Sequence, residues 1–507
     1  MHSSEPPVRI HHASEENATF QQMMGERLKQ SPWLLLSAAM HALLLIMIWV
    51  FLPPEQQKKS TVAVKMANTT KEEVLPPPPP PPMPTPIAET DPEVTPVDTP
   101  VASDNETDSP SDSDLTDSAM DSSAIPTTSS QPLGLAGGGL KGLYKGRKAG
   151  GGPRGGHRAS PYAKNGLIWL ARHQDENGRW DADGFMKHDD LTMAPSGGPG
   201  NAVHDVGVTA LALLAFLGEG NTMRTGLYQG NVKQGVKWLL RQQEAETGLI
   251  GGRASHDFVY DHAIAAYALC EAYGLSGYKL LRKPAQRAIE YLESHRNAYS
   301  VWRYQPRDGD NDISVTGWAI MAYKSAKFFD LAVNEEALRL AGVFLDQVSD
   351  TTGLHGYQKA GQLCGRKLGQ HAQKFPAERS QALTAVGLFC RFFLGQSPNE
   401  RPIMKSSAKL LTESLPSWNE SDGSIDHYYW YYATYALFQM GGKPWTQWQK
   451  ALERAVGPQQ HVDEQNSNTF GSWDPVGAWG DDGGRVYSTA ILTLTMQANY
   501  RYTRLIH

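Results

Sequence analysis

A degenerate repeat, running from about residue 160 to the C-terminus, constrains the fold of this chain more than any other feature. Its clearest copy reads WLARHQDENGRW. The copies share an aromatic residue, a Gln five residues later and a Gly-x-Trp ending, best preserved at Trp169, Gln174, Gly178, Trp180, Gln243, Gln460 and Trp473. Self-similarity in a fixed order predicts stacked supersecondary units.

Each copy of the repeat is followed by a second helical segment of a different character. The first segments, such as NVKQGVKWLLRQQ, alternate polar and apolar residues at three-to-four spacing, as half-exposed helices do. The second segments, such as HDVGVTALALLAFLG, are apolar on nearly every face and belong inside a shell of helices. We expect Gly218, Gly274, Gly395 and Gly441 to end four of them. Six outer–inner hairpins close most simply into an all-α toroid of twelve helices around a central cavity.

The sequence WLARHQDENGRW resembles the QW motif of the squalene-hopene cyclase and protein-prenyltransferase β-subunit superfamily. The resemblance covers residues 160–507 and implies an α6–α6 toroid, which agrees with the six hairpins counted from the repeat. It also implies that the motif residues are structural braces, because in that superfamily the Gln ties helix ends together and stacks on the Trp. An amide suits this role, since it both donates and accepts hydrogen bonds.

The first 159 residues are organised differently. Residues 33–52 read WLLLSAAMHALLLIMIWVFL, an uncharged stretch long enough to span a bilayer. They predict a single transmembrane helix in the inner membrane, with the tail at 1–32 in the cytoplasm. Residues 53–159 are rich first in Pro, then in Ser, Thr and acidic residues, and finally in Gly and basic residues. Such composition predicts a disordered linker that tethers a periplasmic toroid.

Two polar residues, Ser37 and His41, lie four apart within this apolar segment and so share one helix face. Polar side chains inside a membrane commonly mark functional contacts. Their spacing, followed by a proline-rich segment, resembles the membrane anchor of TonB-type energy transducers, and this resemblance implies an ExbB–ExbD-like membrane partner. The alternative is a Ser bonded to its own backbone and a neutral His packed against a partner helix.

Composition excludes several function classes. A net charge of −6 over 507 residues predicts no nucleic-acid partner. The three cysteines, Cys270, Cys364 and Cys390, give no disulfide framework. None of them lies in the Asp-x-Cys zinc pattern of prenyltransferases, so neither a metal nor another cofactor is predicted. Full squalene cyclases carry a second helical barrel, whereas about 350 residues have room for one toroid.

The resemblance implies that any catalysis takes place where the inner helices start. Class II cyclases use an Asp-x-Asp-Asp motif there, whose middle Asp protonates an alkene. The nearest match is Asp310-Asn311-Asp312-Ile313, with Asp312 at the protonating position, Asp310 beside it and Ile313 in place of the last Asp. The alternative is helix capping, because Asp is a favoured N-cap residue.

Other polar and aromatic residues near the inner-helix starts are further candidates for the cavity lining. They are His204, Asp205, Asp257, Asp261, His262, Trp318, His427, Tyr428, Trp430, Arg485 and Tyr487. Converging His and carboxylate groups suit acid–base chemistry, and aromatic side chains suit an apolar or sugar ligand. The alternative is a set of caps and a polar rim. We expect a non-catalytic module that binds an apolar, glycan or protein ligand. An isoprenoid cyclase using Asp312 and a carbohydrate-active α/α-barrel enzyme are the alternative functions.

Overall fold

The computed structural model describes residues 160–502, except 364, 368 and 463–466, together with Met40 and His41. The predicted tail and linker lie outside the described residues. So does the predicted membrane helix with Ser37, apart from Met40 and His41, which are helical. Within the described part of the chain, no helix is both long and apolar enough to cross a membrane.

The repeat region folds as an all-helical toroid, with no named β-strand in the part of the chain that is described. In chain order its helices are α1 (Pro161–Arg172), α2 (Asp205–Gly218), α3 (Gln229–Arg241), α4 (Val259–Ser276), α5 (Arg282–His295), α6 (Ile313–Phe328), α7 (Glu335–Gln347), α8 (Gln370–Lys374), α9 (Ala382–Phe393), α10 (Ile403–Glu413), α11 (His427–Met440), α12 (Gly442–Val456), α13 (Gly480–Met496) and α14 (Ala498–Arg501). The predicted fold class is confirmed.

The helices form two concentric rings. Helices α2, α4, α6, α9, α11 and α13 pack side by side in the inner ring, and α13 returns to contact α2. Helices α1, α3, α5, α7, α10 and α12 lie outside, each packed mainly on the preceding inner helix, so that α1 packs on α13. Burial follows the sequence pattern: every residue of α2 is buried, whereas α3 buries one apolar stripe.

The motif glutamines brace adjacent units of the toroid. In Gln174, Gln243 and Gln460, the side-chain amide donates to a carbonyl of its own motif loop and to one in the first turn of the next outer helix. The pairs of carbonyls are those of Gly178 and Asn231, Gly248 and Pro284, and Gly471 and Tyr162, at 2.8–3.2 Å. Because Tyr162 belongs to α1, the bond from Gln460 joins the last unit to the first and closes the ring.

The motif tryptophans satisfy the ends of the outer helices. In Trp180, Trp302 and Trp473, the indole Nε1 donates to a carbonyl near the C-terminus of the preceding outer helix. The acceptors are Leu170, Leu292 and Val456, at 2.7–2.9 Å. Each fully buried indole therefore adds a hydrogen bond to the end of its outer helix, where the carbonyls of Leu170 and Leu292 also accept from the backbone N–H that follows the helix.

The third copy of the repeat keeps the brace with different residues. Arg296 stands where copies one, two and six have Gln, and its Nη1 donates to the carbonyl of Ser300 at 2.8 Å. The guanidinium also pairs with Glu293, which accepts from Asn334 at the start of α7 at 2.8 Å. An arginine and a glutamate together therefore span the distance that one amide spans in the copies that have Gln.

The expected helix-ending role is wrong for Gly274 and holds only in part for Gly218. Gly274 lies inside α4, where a side chain would collide with the ring of Phe329. Gly218 is the last residue of α2, but the left-handed residue after this helix is Gly220, with φ of 88°, and the one after α4 is Gly277, with φ of 63°. The other two predicted glycines do adopt positive φ, at 85° and 66°. Close packing, which the sequence pattern does not reveal, explains the glycine inside α4.

The C-terminal residues seal the end of the barrel where the inner helices finish. Arg501 donates to the carbonyl of Leu214 in α2 and to the carboxylate of Glu271 in α4, both at 2.6 Å. Tyr502 packs edge-to-face on Phe393 and Tyr435 of two further inner helices. The opposite end, where the inner helices begin, carries the cavity.

Candidate functional site

A cavity of about 780 Å³ lies where the inner helices begin, and all six of them contribute to its wall. Its volume falls within the range of pockets that bind small organic ligands, roughly 300–1,000 Å³. The aromatic residues of the wall are Tyr260, Tyr304, Trp318, Tyr357, Tyr428, Trp479 and Tyr487. The titratable and charged residues are His204, His256, Asp257, Asp261, Arg303, Arg366, Lys367 and Asp482. The wall therefore combines flat apolar faces with many hydrogen-bonding groups.

Six of the predicted candidates lie on the cavity wall. They are His204, Asp257, Asp261, Trp318, Tyr428 and Tyr487. The indole of Trp318 stacks on Tyr431 at 5.8 Å, which fixes its orientation. The hydroxyl groups of Tyr428 and Ser314 share a hydrogen bond at 2.7 Å. The wall is thus held by contacts that exist before a ligand arrives.

Three polar candidates serve the surrounding framework instead of the cavity. Asp205 accepts from the backbone N–H of Ala182 at 2.9 Å and pairs with Arg179 at 2.7 Å. His262 accepts from the N–H of Ile250 through Nδ1, and its Nε2 meets the carbonyl of Ala288, both at 3.0 Å.

The third of these, Arg485, donates to the carbonyl of Gly197 and to the hydroxyl of Ser472, both at 2.9 Å. It also pairs with Asp474 at 2.5 Å. Each of the three predictions of a cavity role is contradicted, because helix rotation turns the side chain toward a neighbouring loop.

The remaining pair, His427 and Trp430, packs in an aromatic cluster with Trp418 away from the cavity. Both ring nitrogens of His427 are buried without a hydrogen-bond partner among the described residues. Burial lowers the pKa of His427 to about 4, so the ring is neutral at physiological pH. Their predicted place in the cavity wall is also contradicted, and both residues contribute to packing.

Asp312 is placed as a helix cap. One carboxylate oxygen accepts from the N–H of Val315 at 2.8 Å, in the first turn of α6. The other accepts from the hydroxyl of Tyr357 at 3.2 Å and lies 3.6 Å from Nε of Arg303. The residue is fully buried, and Tyr357 and Arg303, which do line the cavity, lie next to its carboxylate.

This geometry contradicts the prediction of Asp312 and Asp310 as a cyclase acid pair. A protonating acid has to meet its substrate, and neither residue lies on the cavity wall. Burial raises the pKa of Asp312 to about 7, which the N–H of Val315 and the charge of Arg303 partly oppose. Asp310 is largely exposed and pairs with Arg303 at 2.8 Å. The near-match to Asp-x-Asp-Asp is therefore a capping sequence here.

Sequence reasoning missed the residues that the connecting loops bring to the cavity. Tyr304 and Tyr357 share a hydrogen bond between their hydroxyls, and each comes two residues after the last position of its repeat copy. That shared position in two copies of the repeat could have indicated that both tyrosines face the cavity. Arg366 and Lys367 come from the long connection before α9, where no periodicity indicates their direction.

The cationic residues from this connection are fixed by ion pairs. Arg366 pairs with the buried carboxylate of Asp426, the N-cap of α11, at 2.8 Å. Its guanidinium also lies 5.4 Å from the ring centre of Trp479. Lys367 pairs with Asp482 at the start of α13. These contacts hold the connection against two inner helices at the edge of the cavity.

Three carboxylates of the cavity wall, those of Asp257, Asp261 and Asp482, lie near His204. Its Nδ1 lies 3.4 Å from a carboxylate oxygen of Asp261. Burial lowers the pKa of His204, but the hydrogen bond and charge of Asp261, with the charges of Asp257 and Asp482, outweigh it and raise the pKa above 6.5. Burial has the opposite effect on the carboxyl group of Asp261 and raises its pKa. This side of the cavity therefore holds groups suited to proton transfer near neutral pH.

Three carboxylates outside the cavity, those of Asp181, Asp183 and Asp205, lie close enough together to suit a cation. Arg179 donates to both Asp181 and Asp205, at 2.6 and 2.7 Å. Lys187 donates to Asp181 at 2.9 Å. Protein cations thus already occupy most of the oxygens, and the cluster secures the loop between α1 and α2.

No family model matches this chain, and no curated protein matches it. Similar solved structures include an inactive variant of an α-1,6-mannanase from Salegentibacter, in complex with α-1,6-mannotriose. It has 11% identity and a TM-score of 0.45 over 67% of this chain and 98% of that chain. A type II terpene cyclase from Scytonema has 12% identity and a TM-score of 0.42 over 66% and 96%. A cellobiose 2-epimerase from Bacillus thermoamylovorans has 14% identity and a TM-score of 0.42 over 66% of this chain and 95% of that chain. These similarities concern the fold alone.

Proposed function

We propose that the toroid binds a saccharide in its central cavity. The observation that carries this proposal is the mixed wall, which combines seven aromatic side chains, five of them tyrosines with hydroxyl groups, with carboxylate, guanidinium and imidazole groups. A sugar ring presents apolar C–H faces that suit aromatic side chains. It also presents hydroxyl groups around its edge that suit charged hydrogen-bonding partners. Both kinds of partner meet in one cavity of suitable size.

The same wall disfavours an isoprenoid ligand. Hydrocarbon packed against Asp257, whose nearest cationic partner is the exposed His256 at 3.9 Å, would remove this carboxylate from water without replacing its hydrogen bonds. The cost of burying such a charge without a partner exceeds the gain from one apolar contact. The position of Asp312 as a helix cap also removes the acid that isoprenoid cyclisation was predicted to use.

Isothermal titration calorimetry on the full-length chain tests the proposal. The probes are four neutral trisaccharides (mannotriose, cellotriose, maltotriose and chitotriose) and, as an apolar competitor, farnesol. We expect at least one trisaccharide to bind and Trp479→Ala to weaken it roughly 2- to 13-fold, the worth of one aromatic contact.

Tyr299→Ala is the matched control, because this aromatic residue is 91% exposed and lies outside the cavity wall. We expect it to leave the affinity for the bound trisaccharide unchanged. Binding of farnesol with no binding of any trisaccharide would refute the proposal.

We also propose that this toroid is held at the outer face of the inner membrane by the predicted helix at 33–52. A flexible chain as long as residues 53–159 would reach on the order of 60 Å. The cavity would then sample ligands near the membrane surface without docking on it. Protease digestion of intact and permeabilised expressing cells tests the location. The toroid should be cleaved once the outer membrane is permeabilised and while the inner membrane is still intact. Protection until the inner membrane is lysed would contradict it.

A further inference from the structure

His204 and Asp261 form a side-chain pair at the cavity wall, although 57 residues separate them in the chain. His204 ends the short turn that precedes α2, and Asp261 lies in the first turn of α4. The ring nitrogen that meets Asp261 is Nδ1, at 3.4 Å. Nε2 has no protein partner among the described residues and is therefore the nitrogen left for a ligand.

A glycine makes room for this pair. In α2, any side chain at Gly207 would collide with the Oδ1 atom of Asp261. The N–H of Gly207 also forms a hydrogen bond with this carboxylate, which opposes the rise in the pKa of Asp261. One oxygen of the carboxylate is thus held by the backbone of α2 while the other faces the imidazole. The two helices fix the carboxylate, and the carboxylate orients the ring.

A second carboxylate lies on the same side of the cavity. Asp257 lies two residues before the first residue of α4 and lines the wall, and its nearest cationic partner is the exposed His256 at 3.9 Å. Asp482, by contrast, is already paired with Lys367. Asp257 is therefore the carboxylate of this side that is least engaged by other side chains.

We propose that the cavity hydrolyses the saccharide it binds, with His204 as the catalytic acid, Asp257 as the catalytic base and Asp261 as the residue that positions His204. This inference rests on the proposed saccharide binding. Nε2 of protonated His204 gives its proton to the glycosidic oxygen, and the C1–O bond breaks with its electron pair going to that oxygen. A water molecule attacks C1 from the opposite face, and Asp257 takes the proton that this water loses. The new C1–O bond comes from water, and solvent then returns a proton to His204 and removes one from Asp257.

The test follows the release of reducing ends from any trisaccharide that binds the full-length chain, with calorimetry on the same samples. We expect hydrolysis, and we expect His204→Gln to lower kcat by roughly 10²- to 10⁴-fold, the usual contribution of a general acid. Binding should remain within about twofold, because the neutral substrate keeps its other contacts. His461→Gln is the matched control: His461 also pairs with an aspartate, through Nε2 to Asp474 at 3.0 Å, but lies outside the cavity wall.

A 4-nitrophenyl glycoside of the same sugar separates catalysis from folding. Its leaving group departs without a proton, so His204→Gln should lose far less activity on this substrate than on the trisaccharide. A variant that had merely unfolded would lose both activities equally. Asp261→Asn should move the basic limb of the kcat/KM profile to lower pH, because His204 then holds its proton less tightly.

Trisaccharide binding without any release of reducing ends would overturn the catalytic inference and leave the proposed binding function intact. Equal losses on both substrates in His204→Gln would overturn the role of His204 as the acid. No binding of any trisaccharide would overturn the binding function and the catalytic inference together.

Discussion

Substitution of Arg501 tests the argument that the C-terminal segment seals the barrel. This arginine and its partner Glu271 are each 2% exposed, and the N–O distance between them is 2.6 Å. Arg501→Met keeps the length of the side chain but leaves the Glu271 carboxylate buried without its cation. Breaking a buried pair by removing one partner typically costs about 3–5 kcal/mol in the free energy of unfolding, and we expect a loss of this size at pH 7.

The loss should depend on pH with a defined sign. Burial raises the pKa of Glu271 above 4.5 even though Arg501 opposes the shift. Without Arg501 the folded-state pKa rises further, so the folded chain binds a proton more readily than the unfolded chain does. Stability is then greatest below the unfolded pKa and falls as pH increases, by up to about 1.4 kcal/mol per pH unit until the folded-state pKa is passed. We therefore expect Arg501→Met to be closest to wild type at pH 5.

Urea denaturation followed by tryptophan fluorescence at pH 5, 7 and 8 measures these free energies. The double variant Arg501→Met/Glu271→Met should recover at least half of the loss, because an apolar pair replaces a buried ion pair at little cost. Arg339→Met is the control, since this arginine forms an exposed pair with Glu336 and its loss should leave the denaturation midpoint unchanged. A loss below about 1 kcal/mol in the single variant, or no recovery in the double variant, would refute the reasoning.

Three further predictions concern the brace, the cap and the packing of the toroid. Gln460→Ala should cost about 1–3 kcal/mol of stability in urea denaturation, because it removes two hydrogen bonds, of which the one to the carbonyl of Tyr162 closes the ring. The pKa of Asp312 is about 7 when folded, so its contribution to stability is present in full below about pH 4 and is lost as pH rises through 7. Asp312→Asn should remove this dependence from a pH series of melting temperatures while saccharide binding is retained; abolished binding would contradict its placement as a cap. Gly274→Ala should lower the free energy of unfolding by about 1–3 kcal/mol, because the added methyl group overpacks against the ring of Phe329. Gly342→Ala on the outer helix α7 has room for the methyl group and should stabilise the fold by up to about 1 kcal/mol. Equal effects of the two substitutions in thermal denaturation would contradict the packing argument.

Much of the fold could be predicted because the repeat encodes it locally. The alternation of half-exposed and fully apolar helices follows from hydrophobic periodicity, which depends on residues a few positions apart. The inner helices start within a few residues of the predicted positions, as at Ile313 and His427. The braces at Gln174 and Gln460 were also expected, because the resemblance to the QW motif implied them and an amide suits that role. A local pattern thus determined the order and burial of the twelve helices of the two rings, but not the short helices α8 and α14.

The site was only partly predictable, because the direction of a side chain at a helix start depends on helix rotation and on the preceding loop. His204 and Asp205 are neighbours in sequence, yet the first faces the cavity and the second faces the loop after the first motif. Nothing in the sequence separates these two directions.

By itself, then, the sequence determined an all-helical toroid around a central cavity, since periodicity and the motif are local properties of the chain. That a site would lie where the inner helices begin was implied by the family resemblance. Only the tertiary structure placed Asp312 as a cap, brought Arg366 and Lys367 over from a non-periodic connection, and set His204 against Asp261. Those outcomes depend on contacts between segments far apart in the chain. Such contacts are decided by how the helices pack on one another, and no window of neighbouring residues contains that information.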